Sequence, residues 1–175
     1  GWLGKYFDNT CAGKPNPKGS IAIGPKAPLA LHGKTQKAVN FETEELFKWA
    51  GKDSDDSLAA TYDDINRRDS MQGVSKNSQL DFLVRTSLDA QVSSDKIRKA
   101  VQVQPLVKYP DGKLAQQLQM IAAMIRAELP TRVYYASLGG FDTHANQLNS
   151  HANLMRQVGD SLNAFQKDIS TQGNG

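Results

Sequence analysis

The chain has 175 residues, a formal net charge of +3 and a single cysteine, Cys11. Its length and 39% apolar content suit one globular domain or a large piece of one. One cysteine excludes an internal disulfide and a thiolate metal cluster, no apolar run is long enough to span a bilayer, and the scattered lysines and arginines form no basic stripe for nucleic acid.

Trp2, Leu3, Tyr6 and Phe7 fall at helical spacing and predict a short amphipathic helix over 1–8. Gly13, Pro15, Pro17 and Gly19 make 9–19 a loop. Two brief apolar runs, 20–23 and 29–31, flank Gly24-Pro25 and read as short strands, with Gly33 closing the unit. A helical turn or two over 43–50 ends at Gly51. Residues 52–57 form an acidic loop, after which Asp55 or Ser57 caps a helix running to about Arg68. Asn77 or Ser78 starts a longer helix, with Leu80, Leu83, Val84, Leu88 and Val92 on one face. Ser93-Ser94-Asp95 breaks it and caps a new one, whose apolar pattern continues through Ile97, Val101 and Val103.

Tyr109-Pro110-Asp111-Gly112 is a turn. The cleanest helix follows over 113–128. Leu114, Leu118, Ile121, Ala122 and Ile125 form its buried stripe, and Pro130 stops it. Residues 132–138 (RVYYASL) read as a buried strand. A last helix spans about 149–169, with Leu154, Val158, Leu162, Phe165 and Ile169 facing inward. No internal repeat is visible.

The order helix, strand, loop, helix is a unit of a doubly wound α/β sheet. Only one strand is well marked, and a lone buried strand leaves its backbone donors and acceptors unpaired. The rest of the sheet is therefore expected from residues 20–31, from flanking sequence or from a second chain. The abrupt Gly-Trp-Leu-Gly start and the polar Gly173-Asn174-Gly175 end read as cut ends. Residues 1–175 are thus expected to form a single domain that is itself an interior fragment of a larger one.

The segment Gly139-Gly140-Phe141-Asp142-Thr143-His144, with His151 seven residues on, follows the 132–138 strand. Ligands in open α/β sheets bind at the carboxyl ends of strands. Asp142 and His144 are two apart, so on an extended backbone their side chains point the same way. The glycine pair lets the chain turn sharply off the strand. An Asp/His set suits a divalent ion acting as a Lewis acid or water activator. The alternative is that Asp142 caps the following helix and the two histidines lie at the surface. His32, alone in a Gly-bounded loop, carries little functional weight.

Other patterns are weaker. Residues 52–57 alternate acids like a calcium loop but lack its central Gly and terminal Glu. Residues 19–24 (GSIAIG) lack the Lys-Ser/Thr of a P-loop. No G-x-S-x-G elbow is present. Arg67-Arg68 reads as a surface helix end, although it could meet an anionic group.

GWLGKYFD near the start, AIGPKAPLALHG after it, the Tyr-Pro before the long helix and above all GGFDTHANQLNSH resemble the bacterial family called domain of unknown function 1501. That family looks like a distant branch of the alkaline phosphatase and sulfatase superfamily, and the likeness spans nearly the whole chain. It implies a helix-rich portion of a three-layer α/β/α sandwich with few strands of its own. Asp142 and His144 would be metal ligands and His151 a third ligand or a neighbour of the shell. The ion would be zinc, calcium, magnesium or manganese. A periplasmic or otherwise exported location is implied, as is a small anionic phosphate or sulfate ester as substrate.

The superfamily's nucleophile and its remaining ligands have no counterpart in these residues. Thr143 sits between the candidate ligands but is not where such proteins place a nucleophile. The expectation is part of a metal-dependent hydrolase that is inactive alone. The competing expectation is a non-catalytic envelope binding or scaffold protein on the same fold.

Overall fold

The computed structural model describes residues 1–10, 19–34, 38–43, 95–144 and 147–173. The helices expected over 43–50 (except Thr43), up to Arg68 and over 78–92, the acidic loop 52–57 and Cys11 lie outside the described residues.

Three strands form one parallel sheet, β1 Ser20–Ile23, β2 Val39–Phe41 and β3 Val133–Tyr135, in the order β2-β1-β3. The register sets Ile21, Ala22 and Ile23 opposite Val39, Asn40 and Phe41, and Ser20, Ile21 and Ala22 opposite Val133, Tyr134 and Tyr135. All four β1 residues are buried. That suits a central parallel strand covered on both faces, where an apolar run replaces alternation.

The helices are α1 Trp2–Thr10, a stretch α2 over 95–101, α3 Lys113–Arg126 and α4 Gln147–Thr171. Ile21, Ile23 and Phe41 of the sheet meet Ile97 and Ala100 of α2 and Leu118, Ile121 and Met124 of α3 in one core. Leu114, Ile125 and Phe165 pack at its edge. The described part is therefore α/β, as its alternation of strand and helix predicts. Among the described residues no helix is long and apolar enough to cross a membrane.

Several expectations need correction. Residues Leu29–Leu31 form a 3-10 turn, not a strand. Leu31 N–H donates to Pro28 O at 3.0 Å and His32 N–H to Leu29 O at 3.1 Å, so the local bonds that a ladder would need are already made. The second strand is Val39–Phe41 instead, which sequence reading missed. Its Asn40 breaks the apolar run, and the side-chain amide donates to Gly24 O at 3.0 Å.

The strand expected over 132–138 pairs only over Val133–Tyr135 and is only partly buried. It has β1 on one side and no described strand on the other. Beyond Tyr135 the chain leaves the sheet, and Ser137 N–H donates to the Gln117 side-chain oxygen of α3 at 2.8 Å.

Helix α1 buries Gly4 and Phe7, whereas Trp2 and Tyr6 lie outside. Gly4 is there for close approach: a Cβ would stand 2.1 Å from Gly33 N and 2.2 Å from His32 C, both backbone. Helix α3 ends at Arg126, two residues early, in a Schellman motif. Glu128 takes a left-handed φ of 53°, its N–H donates to Ile125 O at 2.9 Å, and Leu129 N–H reaches back to Met124 O at 3.2 Å. Leu129 packs against the core, and Pro130 follows.

On α4 the expected stripe holds at Leu154, Val158, Phe165 and Ile169, which are buried or half-buried, and fails at Leu162. Leu162 is 49% exposed, whereas Ser161, Ala164, Asp168 and Ile169 are buried. The inward face takes in two polar residues because Asp168 has partners inside. It accepts from the Tyr109 hydroxyl at 3.0 Å and from the Gln172 amide at 2.9 Å. Burial first, and then the hydrogen bond to Asp168 and its charge, push the Tyr109 phenol well above its usual range, with Arg126 acting weakly the other way.

Candidate functional site

All strands are parallel, so their carboxyl ends share one edge of the sheet, and residues 136–144 leave β3 there. Three contacts hold this segment. Gln117 binds Ser137 N–H. Gly140, at φ 91°, turns the chain where most side chains are disfavoured. Its Cα region faces Leu154 of α4, whose Cδ2 would lie 3.8 Å from a Cβ at this position. Phe141 then meets the ring of His151 edge-on, with centroids 6.4 Å apart and planes at 79°.

Thr143 N–H donates to Phe141 O at 3.0 Å, closing a three-residue turn around Asp142. The backbone is therefore turned at Asp142 rather than extended, yet Asp142 and His144 still meet. His144 Nε2 lies 2.7 Å from Asp142 Oδ1. Both side chains are open to solvent, at 84% exposure for Asp142 and 87% for His144. In such a setting an ion pair is worth only ~0–1 kcal/mol, so the contact fixes geometry more than stability.

The three candidate residues are thus not equivalent. Asp142 and His144 are in contact, and His151 is held against Phe141 one helical turn into α4. Among the described residues no three His, Cys, Asp or Glu side chains gather around one point. The donor types fit a divalent ion, as a carboxylate and an imidazole do in zinc and related sites. Their number supplies part of a shell and not a closed one. Sequence reading missed Gln117 and Phe141 as supports of the segment. Gln117 carried a faint signal, a polar residue directly beside the apolar Leu118 stripe.

The described residues thus belong to an α/β protein with an Asp–His pair at the carboxyl edge of a parallel sheet. The chain matches the family described as "Protein of unknown function (DUF1501)" over residues 1–175, and it belongs to that family. No curated protein and no solved structure matches it.

Proposed function

We propose that the chain supplies the Asp/His part of a divalent-metal site in a hydrolase of phosphate or sulfate esters, built on an alkaline-phosphatase-like sandwich. Asp142, His144 and His151 provide this part. The nucleophile and the other ligands come from residues beyond these, and the sheet is completed by flanking sequence or a second chain. A bound ion would supply Lewis acidity toward the transferred group. The protein's own contribution is to fix the segment, through Gln117, Gly140 and the Phe141–His151 contact. An exported, periplasmic setting goes with this reading. The observation that carries it is the meeting of Asp142 and His144 at the strand-end edge of the sheet.

The exposure of that pair, together with the absence of a third donor beside it among the described residues, favours a second reading: a non-catalytic envelope protein on the same fold. Ester turnover separates the two. The hydrolase reading expects the protein with its native flanking sequence to cleave an aryl phosphate or sulfate, and to stop when chelator removes metal. Residues 1–175 alone are expected to turn over neither ester. Chelator-insensitive behaviour with no turnover by the longer protein would leave the scaffold reading standing.

A further inference from the structure

The loop before α3 and the second half of α4 enclose a groove of about 320 Å³ that the metal reading leaves unused. That volume is at the lower end of the range for small-molecule sites. The groove is held in shape by its own surroundings. The Tyr109 hydroxyl donates to the buried Asp168 at 3.0 Å and ties the loop to α4. Pro110, with its fixed φ, follows directly. Ala164, which is buried and lines the groove, has too short a side chain to fill it.

The lining has a definite chemistry. Lys108 stands on the loop and Lys167 on α4. Both are exposed, and among the described residues neither ammonium group is in an ion pair. Asp160 is the one acid among the described residues of the lining, so two lysines against one aspartate leave the groove net positive. Asn163 adds an amide that can donate to an oxygen. The Tyr109 hydroxyl proton is committed to Asp168, so what this residue offers a ligand is its ring. With Pro110 that ring makes an apolar wall beside a cationic rim.

We propose that this groove binds a small organic anion, an aromatic ring carrying a phosphate, phosphonate or carboxylate group. The anionic group lies between Lys108 and Lys167 with Asn163 donating to it, and the ring lies against Tyr109 and Pro110. Residue 160, the nearest lining position on α4, stands roughly 14 Å along the helix from His151. The site is therefore separate from the 142–151 segment, and the inference does not rest on the metal reading.

The test is proton–nitrogen NMR of the full chain titrated with phenylphosphonate, which carries both ring and anion and contains no ester to cleave. Amide signals of 107–109 and 160–167 should shift together and saturate, with a Kd on the order of 1 mM. Benzoate should move the same signals, and its affinity relative to phenylphosphonate distinguishes a carboxylate ligand from a phosphate one. Phenol and inorganic phosphate each lack one half of the ligand and should bind at least about 10-fold more weakly. Lys108→Glu and Lys167→Glu change exposed positions, and each should weaken phenylphosphonate by about 3–10-fold. Asp160→Asn should strengthen it by about 2–5-fold.

No shift at these residues up to about 10 mM phenylphosphonate overturns the proposal. So does a response centred on 139–144 instead, or an affinity unchanged in both lysine variants. Phenol or inorganic phosphate binding as tightly as phenylphosphonate also overturns it, because the charge or the ring would then have no role.

Discussion

Two cases show how much local chemistry a pattern reading leaves out. Glu128 ends α3 in a left-handed conformation that glycine adopts without strain, and it is exposed, so its side chain contributes little there. Glu128→Gly should therefore stabilise the protein, by about 1 kcal/mol against the cost of a left-handed L-residue. A higher urea midpoint with an unchanged slope would show it, and a lower midpoint would count against the cap. Tyr109 and Asp168 form the second case. The phenol is raised in the folded state, so its contribution is complete below the unfolded tyrosine value of about 10 and is lost as pH climbs beyond it. Stability should fall above pH ~10, and Tyr109→Phe should flatten that fall. The same variant should cost about 1–3 kcal/mol at neutral pH, because the buried Asp168 carboxylate loses a hydrogen-bond donor. Equal alkaline sensitivity in both proteins would place the effect elsewhere.

Elements were legible in proportion to their length and regularity. Helix α3 was visible because its apolar residues recur at three and four, and the structure buries Leu118, Ile121 and Ala122 of that stripe. β1 was visible as a short apolar run between loop signals. β2 was not, since Val39-Asn40-Phe41 has neither the length nor the alternation that marks a strand. The 29–31 segment misled because three apolar residues fit a strand or a 3-10 turn equally well, and Pro28 with its local hydrogen bonds decided it. α4 was placed correctly, and its inward stripe was right except at Leu162. Apolarity alone chose Leu162, whereas the Tyr109 hydroxyl drew Asp168 inward. The outward facing of Leu162 has a direct test in thermal or urea unfolding. Leu118→Ala should cost about 2–5 kcal/mol as a core cavity. Leu162→Ala should stay within about 0.5 kcal/mol as a surface change. Comparable losses at both sites would restore the original facing.

For the molecule as a whole, family membership over 1–175 and an α/β sheet were both readable from sequence, the first from its motifs and the second from the order of elements. The Asp142–His144 segment was readable because two rare residue types crowd a strand end beside a glycine pair. Its supports were not readable, because Gln117, Gly140–Leu154 and Phe141–His151 bring together residues from three elements, and chain separation hides such contacts. A closed metal shell needs donors that the described residues do not gather at one point, so the central claim concerns the whole protein. Elemental analysis of that protein, purified without added chelator, tests it most directly. The account predicts a stoichiometric divalent metal in the unaltered protein and its loss in His144→Ala. Metal content that is negligible in the unaltered protein, or unchanged by His144→Ala, would contradict it.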